Sequence, residues 1–176
     1  YLWSNGESSE DIFGLSAGIF YVTVSDGNLC STTANIEIVD SVNYQILILN
    51  AGWNMVSTYI DPYAPLFDSA FLPVENNLMI LKDNFGSIFW PQYNINQIGS
   101  MAIGQGYHLK MSQNDSLQII GSEIIPELNP IQLLEGWNMI GYLRKFAAPM
   151  DSMLYSITPN IELVKDNFGS IYWPQY

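Results

Sequence analysis

The sequence predicts an all-β protein made of tandem β-sandwich-like modules, with at most one short helix in each repeat. Segments rich in aromatic and β-branched residues recur at intervals of roughly 8 to 12 residues, as they do in sandwich folds. Glycine and proline, with 13 and 9 copies in 176 residues, punctuate these segments. Only residues 65–71 and 149–155 place apolar side chains at helical spacing after a proline, so each is predicted to form one short helix.

The first predicted hairpin lies near the start of the chain. Residues 18–25 form a run of aromatic and β-branched side chains that ends at Asp26 and Gly27, a two-residue turn signal. Residues 34–39 alternate in the same way and supply the second strand. We therefore expect two antiparallel strands joined by a tight turn.

A second hairpin is predicted between residues 78–81 and 87–90. Asp83 and Asn84 favour a turn, and Gly86 can adopt the positive φ of a bulged hairpin. Residues 166–169 repeat the same turn sequence. Three further strands are predicted after glycines, at residues 52–56, 107–111 and 136–140.

The later part of the chain contains an internal duplication. The Gly-Trp-Asn-Met segment at residues 52–55 returns at 136–139, an offset of 84. Residues 82–93 return at 165–176 with the single change of Phe89 to Tyr172. Residues 94–121 have no counterpart in the second copy. We therefore expect either that the chain is a segment of a longer, modular protein or that the folded unit is permuted relative to the sequence repeat.

The duplication suggests three modules. Residues 1–41 are predicted to form a partial module, residues 45–125 a first Gly-Trp-Asn repeat, and residues 126–176 an incomplete second repeat. Two prolines within residues 126–130 stiffen the connection between the repeats.

Composition excludes several classes of function. The chain has 17 acidic and 5 basic residues and a net charge of −12, so it lacks the basic surface that nucleic-acid binding requires. Apolar residues make up 48% of the chain, enough to form a folded core. No apolar run approaches the roughly 20 residues that a membrane span requires, so no membrane-spanning segment is expected.

Two resemblances go beyond composition. Residues 1–39 contain Tyr-Leu-Trp-Ser-Asn-Gly at the start, Tyr-Val-Thr-Val at 21–24 and Cys30. This order of elements resembles the second half of the immunoglobulin-like (Ig-like) repeats in large surface adhesins of Bacteroidetes-type gliding bacteria. The Gly-Trp-Asn units resemble a module of proteins that the same bacteria export by type IX secretion. The resemblances imply an extracellular or cell-surface location and no catalysis.

The role of Cys30 is left with two alternatives. The adhesin resemblance implies a disulfide to a residue outside this segment, near the start of the same module. A buried thiol is the other structural interpretation. A reactive thiol is not favoured, because no basic residue lies near Cys30 in sequence to lower its pKa.

The aromatic segments at 89–93 and 172–176 are candidate carbohydrate contacts. A flat platform of rings could stack on sugars while the glutamine side chains form hydrogen bonds. Strand alternation places Phe89 and Trp90 on opposite faces, so one of them should face the core. Trp53 and Trp137 are predicted to be core residues. The candidate glycan contacts are Trp90, Gln92, Tyr93, Trp173, Gln175 and Tyr176.

No catalytic, metal or cofactor site is predicted. His108 is the only histidine and has no carboxylate near it in sequence, so it is interpreted as a solvent-facing strand residue. Asp68 and Asp151 are expected to face backbone N–H groups at the starts of the two helices. The acidic composition keeps Ca²⁺ binding open as an alternative, although no twelve-residue calcium loop is present.

These observations favour a non-enzymatic segment of a secreted or surface-displayed modular protein that acts as an adhesin, stalk or assembly unit. Its partners would be other modules of the same polypeptide or neighbouring copies. One alternative is a carbohydrate-binding accessory region of a secreted polysaccharide-degrading enzyme. Another is the subunit of an extracellular filament, in which a neighbour completes the unfinished β module.

Overall fold

The computed structural model describes residues 1–38 and 43–174, which fall in two compact units, Tyr1–Val42 and Asn43–Tyr176. Antiparallel strands dominate both, and the predicted all-β class is confirmed. The second unit contains both Gly-Trp-Asn repeats. The division of that unit into two separate modules stays a prediction.

The first unit is one antiparallel sheet in the order β1 (Leu2–Trp3), β2 (Gly18–Ser25) and β3 (Ser31–Ile38). The predicted pairing of the two long strands is confirmed, but the two-residue turn between them is wrong. Ser25 pairs with Ser31, so a five-residue loop joins the strands. The Asp26 carboxylate stabilises this larger loop, because its Oδ1 accepts hydrogen bonds from the backbone N–H groups of Asn28 and Cys30 at 2.8 and 2.9 Å.

Side chains of this sheet are only partly covered. Phe20, Val22 and Val24 alternate along β2 and share one half-buried face with Trp3 of β1. Among the described residues of the first unit, no side chain is fully buried. The unit therefore presents a single sheet without an enclosed core.

In its described part, the second unit contains ten strands and two short α-helices. Its strands are β4 (Asn43–Leu49), β5 (Gly52–Val56), β6 (Ile60–Pro62), β7 (Leu78–Lys82), β8 (Ile88–Trp90), β9 (Ile95–Asn96), β10 (Tyr107–Met111), β11 (Asp115–Glu123), β12 (Val164–Lys165) and β13 (Ile171–Tyr172). The helices are α1 (Phe67–Ala70) and α2 (Met150–Leu154), which confirms one short α-helix in each repeat. Short 3-10 turns cover Leu72–Val74, Pro91–Tyr93, Pro126–Leu128 and Tyr155–Asn160.

Two sheets of the second unit enclose its core. The order of the larger sheet is β5-β10-β7-β8-β9, and that of the smaller is β4-β11-β6. The ring of Phe67 in α1 packs against the larger sheet, with its centroid 5.1 Å from that of Tyr107 and 5.7 Å from that of Phe89. Aliphatic side chains of both sheets join these rings in one buried cluster, and every member of the cluster belongs to the first repeat.

The second repeat reproduces local turns of the first but lacks its sheet. Asp166 accepts hydrogen bonds from the N–H groups of Phe168 and Ser170, as Asp83 does from those of Phe85 and Ser87. The resulting hairpin of β12 and β13 pairs only two residues on each side.

The strand predicted at residues 136–140 is wrong. In the first repeat, β5 pairs along its whole length with β10. Residues 126–174 contain no strand that corresponds to β10, so the backbone of residues 136–140 has no such neighbour. Only Ile140 forms an isolated bridge, to Gln105 of the first repeat.

Candidate binding face

The outer face of the five-stranded sheet carries two tryptophans, the histidine and two lysines of the first repeat. Leu81, Phe89 and Leu109 are buried on the inner face. Because side chains alternate along a strand, their neighbours Lys82, Trp90, His108 and Lys110 point outward. We call the outward-facing side chains of β5, β10, β7 and β8 the binding face.

Trp90 and Tyr93 form the predicted aromatic pair at one end of the binding face. Their ring centroids are 4.5 Å apart, and their planes meet at 71°. The flat platform expected from the sequence is therefore wrong, because the 3-10 turn that starts at Pro91 folds Tyr93 back edge-on against Trp90. Tyr93 remains 65% exposed, and Gln92 is exposed on the same turn.

Of the corresponding residues of the second repeat, the structure describes Trp173. Trp173 is partly exposed just after β13. Gln175 and Tyr176 lie outside the described residues, so the predicted second set of contacts stays a prediction.

Trp53 and Trp137 are not core residues. Trp53 is 40% and Trp137 is 71% exposed. The buried member of β5 is Asn54, whose amide nitrogen donates to the carbonyl oxygens of Asn50 and Gly52 at 2.7 and 3.1 Å. With Asn54 turned inward to close this turn, alternation forces Trp53 outward. In the sequence, the signal for the exposure of these two tryptophans is the Asn that follows each of them.

Trp53 covers His108 at the other end of the binding face. The two rings are stacked, with centroids 4.4 Å apart and planes inclined by 29°. His108 is thus a half-buried member of a ring pair, more enclosed than the solvent-facing residue expected from the sequence.

Lysine side chains surround this ring pair. Lys82 Nζ lies 5.0 Å and Lys110 Nζ lies 5.9 Å from the centroid of the Trp53 ring, both within cation–π range. Burial and the positive charges of Lys82 and Lys165 lower the pKa of His108 below its ordinary value of 6.5. His108 is therefore mostly neutral at pH 7.

The second repeat contributes to the same place through its hairpin. Asn167 Nδ2 donates a hydrogen bond of 3.2 Å to the backbone carbonyl of Trp53. Lys165, two residues earlier, supplies the third positive charge near His108. Sequence reasoning missed this convergence because the residues come from four separate segments.

The aspartates at the starts of the two helices form hydrogen bonds within the fold. Asp68 lies in the first turn of α1, as predicted, but α1 has no side-chain cap, and Asp68 Oδ2 accepts a hydrogen bond from Asn96 Nδ2 at 2.6 Å. Asp151 accepts instead from the backbone N–H of Ser152, inside the first turn of α2. Within residues 1–38 and 43–174, no group of three or more His, Cys, Asp or Glu side chains could hold a metal ion.

Neither the cavity between the repeats nor the exposed Cys30 indicates a reactive site. A shallow cavity of about 170 Å³ between the repeats is lined by twelve residues, none of them ionisable. Cys30 is exposed in the loop of the first unit, so its interpretation as a buried thiol is wrong. A disulfide from Cys30 to a residue outside the segment stays a prediction.

No known family profile, curated protein or solved structure matches the chain. In the part of the chain that the structure describes, no helix has the length and hydrophobicity of a membrane span.

Proposed function

We propose that the chain is a non-enzymatic segment of a secreted or surface-displayed modular protein, and that it contacts carbohydrate through the binding face. In this role it acts as an adhesive unit within a larger polypeptide. The observation that carries the proposal is the pair of partly exposed rings, Trp90 and Tyr93, on the outer side of a rigid sheet.

The chemistry of the pair supports sugar binding. Tyr93 offers an exposed ring and a hydroxyl group, and the exposed Gln92 amide can donate and accept hydrogen bonds beside it. Phe89, the neighbour of Trp90, is buried in the core and holds the strand in place. A ligand would therefore meet rings whose positions are already set by packing, which reduces the entropy lost on binding.

Glycan-array binding tests the proposal. The Trp90→Ala and Tyr93→Ala variants should lose affinity for the bound glycan by roughly three- to tenfold each, the range expected for one aromatic contact. Trp137→Ala is the matched control, because Trp137 is exposed but lies off the binding face. Equal binding by the wild-type protein and the Trp90→Ala variant, both folded by circular dichroism, would refute the proposal.

Assembly into a filament is the second candidate function. The segment around Trp137 has one backbone bridge to the first repeat, and its Trp137 and Leu134 side chains are exposed. Residues 136–138 pair with no strand of the described chain, and such a segment can accept a strand from a neighbouring copy.

Light scattering after size-exclusion chromatography separates the two candidates. Assembly predicts a molar mass that rises with protein concentration and a Trp137→Lys variant that stays monomeric, because a charge blocks edge pairing. A constant monomeric mass across concentrations would exclude assembly and leave adhesion unaffected.

A further inference from the structure

The distribution of charge on the second unit is uneven in a way that composition does not predict. The chain carries 17 acidic and only 5 basic residues. Three of those five, Lys82, Lys110 and Lys165, nevertheless gather around the stacked rings of Trp53 and His108. We call these five residues the basic cluster.

Among the described residues, no carboxylate forms an ion pair with a lysine of the basic cluster. In the described part of the chain, the ion pair within 4.0 Å is that of Arg144 with Glu127, at 2.8 Å. Holding three like charges together raises the energy of the free protein, and a bound anion would relieve that repulsion. The three lysines therefore favour the binding of an anion beside them.

We propose that the basic cluster binds an acidic saccharide, that is, a sugar ring that carries a carboxylate or sulfate group. The proposal rests on the proposed function and specifies its ligand class. The ring of Trp53, 40% exposed, provides an apolar surface for the sugar ring. The lysine ammonium groups, each with three donors on a flexible stem, provide the contacts to the anion.

Register places the basic cluster and the Trp90–Tyr93 pair on one continuous surface. Trp53 lies opposite Lys110, and Lys110 lies opposite Ile80 on the next strand. The pairing of Leu81 with Phe89 brings Trp90 across from Ile80. Three strand spacings separate the two tryptophans, roughly 14 Å. A linear oligosaccharide laid across the strands can contact both tryptophans and pass the lysines between them.

Calorimetric titration with a matched ligand pair tests the charge requirement. The probes are an oligogalacturonate, whose rings carry carboxylates, and its fully methyl-esterified form, which has the same rings without the charge. A dextran sulfate fragment distinguishes sulfate from carboxylate as the source of the anion. The wild-type protein should bind at least one acidic probe more tightly than the esterified sugar, and the preference should shrink as salt rises.

Single lysine variants locate the site. Lys82→Gln and Lys110→Gln should each weaken binding of the acidic probe by about two- to fivefold, the range for one exposed ionic contact. Lys145→Gln is the matched control, because it makes the same charge change at an exposed lysine outside the basic cluster and should leave affinity unchanged.

The outcomes separate this proposal from the proposed function. Equal affinity for acid and ester, with binding still lost in Trp90→Ala, overturns the acidic ligand and leaves carbohydrate binding standing. If binding depends on charge but is unchanged in Trp90→Ala and Tyr93→Ala, the basic cluster is supported as the ligand site. The Trp90–Tyr93 pair is then excluded from that site. Equal binding of a single-stranded DNA dodecamer would show a general polyanion site and overturn the saccharide assignment. Absence of binding to every probe overturns both.

Discussion

Asn54 and Asn138 show how one local motif can occupy two environments. The Asn138 amide nitrogen donates to the carbonyls of Leu134 and Gly136, just as Asn54 does to those of Asn50 and Gly52. Asn54 is buried, and Asn138 is only half-buried. The hydrogen bonds are local and form in both copies, whereas burial depends on the sheets around them.

This difference predicts unequal effects of the same substitution. Asn54→Ala removes a buried side chain together with its hydrogen bonds to the backbone of Asn50 and Gly52, and should lower the free energy of unfolding by about 1–3 kcal/mol. Asn138→Ala should cost less, roughly 0–1 kcal/mol, because water can replace the lost bonds. Urea denaturation of both variants measures the two costs. Equal losses would mean that Asn54 contributes nothing through burial.

The pKa of His108 is a second test at the residue scale. Burial, Lys82 and Lys165 all lower it below 6.5, while Lys110 lies on the same strand and Trp53 covers the ring. Lys82→Gln should therefore raise the pKa, and Lys145→Gln should not. NMR titration can follow this without assignment ambiguity, because the chain has one histidine. A pKa at or above 6.5 in the wild-type protein would contradict the stacked, lysine-flanked arrangement.

The same shift has a defined effect on stability. A histidine whose pKa falls on folding binds more protons in the unfolded state, so its contribution to stability is present above pH 6.5. That contribution is lost as the pH falls through 6.5 toward the lower pKa of the folded state. The loss should be absent in a His108→Phe variant.

At the scale of the elements, the ring of Phe67 holds helix α1 against the core. Phe67 is fully buried and contacts the rings of Phe71, Phe89 and Tyr107. Phe67→Ala should lower the free energy of unfolding by about 3–5 kcal/mol. Phe85→Ala makes the same change at the exposed tip of the β7–β8 hairpin and should cost under about 0.5 kcal/mol. Similar costs for the two variants in thermal or urea unfolding would contradict the described core.

The close approach of β6 to β11 depends on a glycine. A Cβ at Gly121 would overlap the backbone carbonyl of Asp61, and neither strand can yield without breaking the pairing. Gly121→Ala should therefore destabilise the second unit by about 1–3 kcal/mol. Gln118→Ala, at an exposed position of the same strand, is the control and should change stability little. Wild-type stability of Gly121→Ala would show that the two strands are farther apart.

At the scale of the whole molecule, the two repeats differ because the first has a five-stranded and a three-stranded sheet, whereas the described part of the second has only the two-stranded hairpin of β12 and β13. The buried cluster of the second unit uses residues of the first repeat only. The matching segments of the second repeat keep their turns but are less buried, as at Asn138 compared with Asn54 and at Tyr172 compared with Phe89. Identical sequence therefore gives identical turns and different burial.

The sequence by itself determined the strand-rich class, the two short helices and the Asp83 and Asp166 hairpins. These depend on interactions between residues close together in the chain, which composition and spacing reveal. Only the tertiary structure decided that Trp53 faces outward, that Tyr93 stands edge-on to Trp90, and that three lysines lie around the stacked rings of Trp53 and His108. Each of these outcomes depends on the register of strands far apart in sequence, and local preferences carry no information about that register.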